Sequence, residues 1–97
     1  MSFDLAPSRM TGRIYMFYVY ILRLSNGDVY KGFTSDIKRR IPEHVAGNVE
    51  STRNQRPLKL VHYESYLLES DARRREKFLK TTEGKRLIRQ QIRDILK

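Results

Sequence analysis

The chain contains no cysteine among its 97 residues. This absence excludes disulfides, zinc sites built on thiolates and thiol nucleophiles. Long hydrophobic runs are missing as well, because the longest apolar stretch, Phe17 to Leu22, is far too short to cross a bilayer. We therefore expect a cytoplasmic protein with no membrane partner.

Acidic residues are scarce, with 11 Asp and Glu against 20 Lys and Arg, and the formal net charge is +9. A charge of this sign and size favours a polyanionic partner, and nucleic acid is the first candidate. The charge does not predict disorder, because 39% of the residues are hydrophobic and six Tyr and four Phe can supply a core. The chain is too short for several cores, which indicates one small domain.

The first fifteen residues differ in character from the rest. They contain Pro7 and Gly12 and show no sustained hydrophobic period. We predict that residues 1–15 form a flexible N-terminal extension. Residues 16–97 contain no linker or low-complexity tract and are predicted to form one continuous domain.

Two apolar segments joined by a turn signal open this domain. Phe17 to Leu24 is rich in aromatic and β-branched residues and apolar on both faces, which is typical of a central strand. Asn26-Gly27 is a strong hairpin signal, so Val29 to Phe33 is predicted to return as an antiparallel strand.

The register of this hairpin decides where two tyrosines point. A two-residue turn at Asn26-Gly27 would place Tyr20 and Tyr30 on opposite faces of the sheet. A three-residue loop with Gly27 in the left-handed region would instead pair Tyr20 with Gly32 and place both phenols on one face. Residue patterns alone leave both registers open, and the tyrosines could equally be ordinary half-buried strand aromatics.

The remaining elements follow from caps and periodicity. They are a helix over 36–46 that contains Pro42, a strand from Leu58 to Tyr66, a helix from Ser70 or Asp71 to about Lys80, and a last amphipathic helix marked by apolar residues between Leu87 and Leu96. The order β-β-α-β-α-α predicts an α+β domain in which helices cover a small, mainly antiparallel sheet.

Arg40 and His44 stand four residues apart and therefore project from the same face of the first helix. That face is the apolar one, because Ile37 and Ile41 flank Arg40. A guanidinium on the buried side of a helix needs an anion or an edge of the core. Alternatively, Arg40 extends to solvent along the core surface and His44 is a hydrogen-bonded residue at its border.

Glu76 falls on the inward stripe of the second helix, between Ala72 and Leu79. Buried carboxylates are rare unless they are paired or bind a metal ion. The position thus suggests a metal-binding or catalytic role, with a surface salt bridge to Lys80 or Arg73 as the alternative. Together with Arg40, His44 and two phenols on a basic scaffold, this carboxylate would suit phosphodiester chemistry.

These residues resemble a known family. Tyr18-Val19-Tyr20, Tyr30-Lys31-Gly32, Arg40, His44 and Glu76 follow the order of motifs in the GIY-YIG nuclease domain, and the resemblance extends from Phe17 to Leu96. The small stand-alone bacterial members are the most similar. The resemblance implies a three-stranded antiparallel sheet with the first strand central and helices around it. It also requires the register in which Tyr20 opposes Gly32.

The resemblance also implies roles for the site residues. Tyr20 would act as the general base or position the attacking water, and Tyr30 would orient that water or the phosphate. Arg40 would bind the scissile phosphate, and His44 would hydrogen-bond the phosphate or relay a proton. Glu76 would be the only protein carboxylate on one Mg²⁺ or Mn²⁺ ion.

We therefore expect a divalent-metal-dependent endonuclease that hydrolyses DNA by a single-metal mechanism, in DNA repair or recombination, with a protein partner supplying target specificity. The alternatives are a non-catalytic nucleic-acid-binding module and a subunit of a larger complex. The residues expected to contact nucleic acid are Lys31, Lys38, Arg39, Arg53, Arg56 and Arg73.

Overall fold

A computed structural model describes residues 15–97, so residues 1–14 of the predicted N-terminal extension lie outside the described part. The elements follow the predicted order β-β-α-β-α-α. They are β1 (Phe17–Arg23), β2 (Val29–Thr34), α1 (Ile37–Val45), β3 (Lys59–Tyr66), α2 (Glu69–Leu79) and α3 (Thr82–Gln91), with a short 3-10 turn at Arg53–Gln55 before β3.

The three strands form one antiparallel sheet in the order β2-β1-β3. The first strand is therefore central, as predicted, and the α+β class is confirmed. Four consecutive residues of β1, Val19 to Leu22, are each at most 1% exposed. Both faces of β1 are covered by other parts of the chain, and a strand buried on both sides is apolar throughout instead of alternating between apolar and polar residues.

The hairpin between β1 and β2 adopts the three-residue loop. Tyr20 pairs with Gly32, and Gly27 has a φ of +90°. The backbone N–H of Leu24 donates to the carbonyl of Asp28 at 2.8 Å and closes the loop. Glycine adopts this left-handed conformation without the strain that a side chain would bring. The two-residue turn is thus excluded. Tyr30 pairs with Leu22, two residues after Tyr20 on β1, so the side chains of Tyr20 and Tyr30 share one face of the sheet.

The two faces of the sheet pack against different helices. Val19 and Ile21 pack with Ala72, Leu79 and Ile88 from α2 and α3, and we call this side the α2–α3 face. On the other side, which we call the α1 face, the strand residues Tyr20, Leu22 and Tyr30 pack with Ile37 and Ile41 of α1.

Helix α1 begins after Asp36, whose side chain accepts a hydrogen bond from the backbone N–H of Arg39 at 3.2 Å. The helix continues through Pro42 and is followed by Gly47, which has a φ of +83°. Because the helix is not interrupted at Pro42, Arg40 and His44 remain one turn apart on its inner face.

Two helix boundaries differ from the sequence prediction. Helix α2 begins at Glu69 rather than after Ser70 or Asp71, and α3 ends at Gln91 although apolar residues continue to Leu96. Thr81 caps α3 by accepting a hydrogen bond from the N–H of Gly84 at 3.0 Å. A Cβ on Gly84 would lie 2.0 Å from the carbonyl oxygen of Phe78, so the joint between α2 and α3 is tight. Within residues 15–97, none of the helices has the length and apolar character that a membrane crossing requires.

Candidate active site

Tyr20 lies at the centre of a polar cluster on the α1 face. Its side chain is buried, and its hydroxyl oxygen lies 2.8 Å from Nε2 of His44. The Tyr30 ring lies beside both, with ring centroids 6.3 Å from Tyr20 and 5.3 Å from His44. The hairpin and α1 thus bring together three of the predicted residues, and with Arg40 we call them the Tyr20 cluster.

The space for the Tyr20 ring comes from Gly32. A Cβ on Gly32 would lie 2.2 Å from Cζ of Tyr20 and 2.4 Å from its hydroxyl oxygen. The phenol therefore lies directly over the backbone of β2, at a position that only glycine leaves open. Since β2 is an edge strand, this arrangement carries the hydroxyl away from the centre of the sheet and toward its border.

His44 is fixed by a second residue, Thr52, which the sequence analysis missed. Both side chains are fully buried, and Nδ1 of His44 lies 2.8 Å from Oγ1 of Thr52. Thr52 belongs to the polar loop between α1 and β3, where Ser51 donates a hydrogen bond of 3.4 Å to the Tyr30 hydroxyl. A buried imidazole needs hydrogen-bond partners for both ring nitrogens. The sequence could therefore indicate that His44 has a second polar partner, but it could not indicate which residue that partner is.

Arg40 also contacts Tyr20, and it finds its counter-ion within its own helix. Nη1 of Arg40 lies 3.1 Å from Oε1 of Glu43, and the same carboxylate accepts a hydrogen bond of 2.6 Å from Arg39. The guanidinium side chain is about one-third exposed (33%), so it keeps one side open to solvent. Glu43 was not singled out from the sequence, although spacings of three and four residues on a helix permit both pairs.

The protonation states of the cluster follow from burial and from Arg40. Burial raises the pKa of Tyr20, and the hydrogen bond from Arg40 lowers it by less. Burial and the Arg40 charge lower the pKa of His44, so its imidazole is neutral at neutral pH. Both tautomers of His44 are compatible with these contacts, because the hydroxyls of Tyr20 and Thr52 can each donate or accept a hydrogen bond.

Glu76 belongs to α2, and no hydrogen bond or ion pair among the described residues joins it to the Tyr20 cluster. Its helical neighbours Ala72 and Leu79 are buried on the α2–α3 face, whereas Tyr20 lies on the α1 face. The Glu76 carboxylate is largely buried (19% exposed) and pairs with Lys80 at 3.1 Å, the salt bridge that the sequence left open. Its negative charge is nevertheless one of the causes that raise the pKa of Tyr20. The two groups thus interact electrostatically without a direct contact.

The predicted nucleic-acid contacts do not form one surface. Lys38 and Arg39 are exposed on α1, while Arg53 and Arg56 are exposed in the loop before β3. Arg73 pairs with Glu69 at 2.7 Å and lies over the ring of Phe33, on the α2–α3 face. Lys31 lies on that same face, opposite Ile21, and is only 8% exposed. The basic residues therefore surround the sheet on both sides.

A metal ion would find few protein ligands here. Among the residues that the structure describes, no group of three or more His, Asp or Glu side chains lies close enough together to hold one. A lone carboxylate is still compatible with Mg²⁺, which commonly keeps several waters and binds one or two carboxylates together with substrate phosphate oxygens. The donor set around Glu76 fits a site of that open kind, completed by water and substrate.

Comparisons with known proteins identify the family of the chain. The family model for the GIY-YIG catalytic domain matches residues 16–89. A UPF0213 protein of Halobacterium salinarum is 44% identical over 62 residues, covering 63% of this chain and 80% of that protein. A UPF0213 protein of Haloquadratum walsbyi is 40% identical over 81 residues, covering 80% and 91%. The solution NMR structure of a UPF0213 protein from Bacillus halodurans is similar with a TM-score of 0.50 and 33% identity, covering 75% of this chain and 81% of that chain.

Proposed function

Because the chain belongs to the GIY-YIG catalytic domain family, we propose that it is an endonuclease that hydrolyses DNA phosphodiester bonds with one Mg²⁺ or Mn²⁺ ion. The observation that carries this proposal is the continuous hydrogen-bonded chain from Tyr20 through His44 to Thr52, with Arg40 beside it. A buried phenol and a neutral imidazole can transfer protons in phosphodiester hydrolysis, and a guanidinium can neutralise the developing charge.

Proton transfer is the first task of the cluster. Hydrolysis forms a bond between the water oxygen and phosphorus and breaks the bond to the leaving oxygen, so the attacking water must lose a proton. The Tyr20 oxygen can accept that proton as its own proton passes to Nε2 of His44, 2.8 Å away. In this relay Tyr20 never exists as a free phenolate. The mechanism is therefore compatible with a pKa that burial holds above the usual value for tyrosine.

Charge neutralisation is the second task, and Arg40 is placed for it. Hydrogen bonding to Tyr20 and Glu43 raises the pKa of Arg40, so the guanidinium stays charged. Its planar fork suits two oxygens of a phosphate, and its open side faces solvent. A metal ion held by Glu76 and water would supply Lewis acidity and stabilise the leaving oxygen. Tyr30 would orient the attacking water or the phosphate next to Tyr20.

The test is a nicking assay on supercoiled plasmid and on branched DNA, each with Mg²⁺ and with Mn²⁺. The wild-type chain should nick at least one of these substrates. The variants Glu76→Ala and Tyr20→Phe should not, whereas Glu83→Ala, which removes an exposed carboxylate from α3, should behave as wild type. Circular dichroism establishes that each variant is folded. Intact substrate with both metals and all DNA forms would refute the proposal.

The same assay, extended to damaged DNA and to plain duplex, addresses the biological context. Preference for branched or damaged DNA over plain duplex would support a role in DNA repair or recombination. A strong preference that appears only in the presence of another protein would identify a partner that supplies target specificity.

A non-catalytic nucleic-acid-binding module is the second candidate. The net charge of +9 and the ion pair between Glu76 and Lys80, which occupies the proposed metal ligand, favour it. This alternative predicts binding that weakens steeply with salt, no cleavage, and no rise in melting temperature on addition of Mg²⁺ or Mn²⁺. Loss of a metal-induced rise in Glu76→Ala would instead assign the carboxylate to the metal.

A further inference from the structure

A second polar cavity lies on the α2–α3 face, away from the Tyr20 cluster. It has a volume of about 260 Å³ and is lined by Asp28, Val29 and Lys31 from the hairpin and by Lys85 and Arg89 from α3. Arg89 also donates a hydrogen bond of 3.4 Å to the carbonyl of Gly27, which ties α3 to the hairpin. We call this cavity the Lys31 pocket.

Lys31 is the unusual member of this pocket. Its side chain is only 8% exposed, and within residues 15–97 no hydrogen bond or ion pair joins its ammonium group to another residue. Among the described residues every fully buried side-chain nitrogen has a hydrogen-bond partner, so the ammonium group of Lys31 reaches solvent in the pocket while the stem of the side chain is buried. Burial and the neighbouring charges of Lys85 and Arg89 lower the pKa of Lys31, while Asp28 opposes this effect.

The charge of the pocket indicates the kind of ligand that it would bind. Two ammonium groups and one guanidinium face a single carboxylate, so the lining residues carry an excess of two positive charges when all four are ionised. Arg89 supplies a planar fork of donors, and the two lysines supply point charges. This combination suits the oxygens of a phosphate group.

We propose that the Lys31 pocket binds one phosphate group of a nucleic-acid backbone, on the opposite face of the sheet from Tyr20. The proposal rests on the proposed function in that the ligand is nucleic acid. Tyr30 and Lys31 are neighbours on the edge strand β2 and point to opposite faces. A polynucleotide that follows this edge therefore reaches the Tyr20 cluster from one side and the pocket from the other.

The experiment measures how salt weakens binding of a fluorescent DNA oligonucleotide, by anisotropy, in EDTA so that no cleavage occurs. The slope of log K against log salt, taken between about 50 and about 200 mM, reports the number of phosphates neutralised. This slope is negative, and Lys31→Met and Lys85→Met should each make it less steep by about 0.9, the value for one phosphate contact. The double variant should lose no more than about one contact, because both residues bind the same phosphate.

The matched control is Lys59→Met, which removes an exposed lysine from β3, the opposite edge strand, and should leave the slope unchanged. Methionine preserves the length of the side chain, and thermal melting establishes that each variant is folded. Unchanged slopes in both pocket variants, or an equal loss in Lys59→Met, would overturn the proposal.

A titration with inorganic phosphate, followed by amide NMR shifts, separates backbone phosphate from a free anion. Saturable shifts at Lys31, Lys85 and Arg89 without any change of slope in the variants would assign the pocket to a free anion and overturn the nucleic-acid ligand. Cleavage is read separately. If the pocket variants weaken the salt dependence but the wild-type protein never nicks DNA, hydrolysis is refuted and the phosphate pocket is not. If the protein nicks DNA but the pocket variants leave the salt dependence unchanged, only the pocket proposal is refuted.

Discussion

Replacement of Thr52 by valine tests the buried hydrogen-bond chain with little change of volume. In Thr52→Val a methyl group replaces the hydroxyl that lies 2.8 Å from Nδ1 of His44, and both residues are fully buried in the wild-type chain. No water can reach the ring nitrogen without local opening. The substitution therefore leaves a buried polar group without a partner.

The cost of such a group sets the expected effect. An unsatisfied buried donor or acceptor destabilises a protein by about 1 to 3 kcal/mol. For a domain of this size each kcal/mol lowers the melting temperature by roughly 4 to 8 °C. Thr52→Ser is the matched control, because it keeps the hydroxyl and loses a buried methyl group worth about 0.8 kcal/mol.

Thermal denaturation followed by circular dichroism measures both variants. We expect Thr52→Val to melt below Thr52→Ser, and to nick DNA more slowly at a temperature where both are fully folded. The second effect follows because the His44 ring loses the hydrogen bond at Nδ1 that holds its Nε2 next to the Tyr20 hydroxyl. If Thr52→Val melts at or above Thr52→Ser, the hydrogen bond does not stabilise the fold and the reasoning is wrong.

Three further changes probe other parts of the structure. Gly32→Ala should destabilise the fold by about 1 to 3 kcal/mol and abolish nicking, because the new Cβ meets the Tyr20 ring. In thermal melts, the same substitution should cost less stability when Tyr20 is already replaced by alanine. Burial and neighbouring cations lower the pKa of Lys31 below 10.5, so Lys31→Met should be more stable than wild type at neutral pH, and calorimetric scans should show this advantage shrinking as pH rises toward 10.5. Burial raises the pKa of Glu64, but hydrogen bonds from Arg75 and two neighbouring side chains outweigh it and hold the pKa below 4.5. Glu64→Gln should therefore be less stable than wild type at pH 7 in urea titrations, and the difference should vanish as pH falls below 4.5 and through the folded-state value.

The parts of the fold that could be predicted are those set by local pattern. The uninterrupted apolar run of β1 predicted a central strand, and the capping residues at positions 34 to 36 predicted the start of α1, because burial and capping act on neighbouring residues. The hairpin register was ambiguous by one residue. The register is set by the left-handed conformation of Gly27 and by the space over Gly32. The sequence shows that both residues are glycine but not how either one is used.

The residues that escaped prediction depend on distant contacts. Thr52 lies in a polar loop without a hydrophobic period, so nothing local marked it as buried, and only the need of His44 for a second partner pointed to that loop. Lys31 is predicted to contact nucleic acid, and the pleat of β2 turns it to the face opposite Tyr30, against Lys85 and Arg89 of α3. The packing of α3 on that face cannot be predicted from the local sequence Tyr30-Lys31-Gly32.

The three-residue loop at Ser25–Gly27 governs more than the turn itself. Because consecutive side chains of β2 alternate between the faces, a two-residue loop at Asn26-Gly27 in this same sequence would shift the pairing by one residue and turn every β2 side chain to the other face relative to β1. Tyr30 would then exchange sides with Lys31, and the Tyr20 ring would meet a side chain instead of open backbone. A single loop length therefore keeps the hydroxyls and the ammonium group on their separate sides of the molecule.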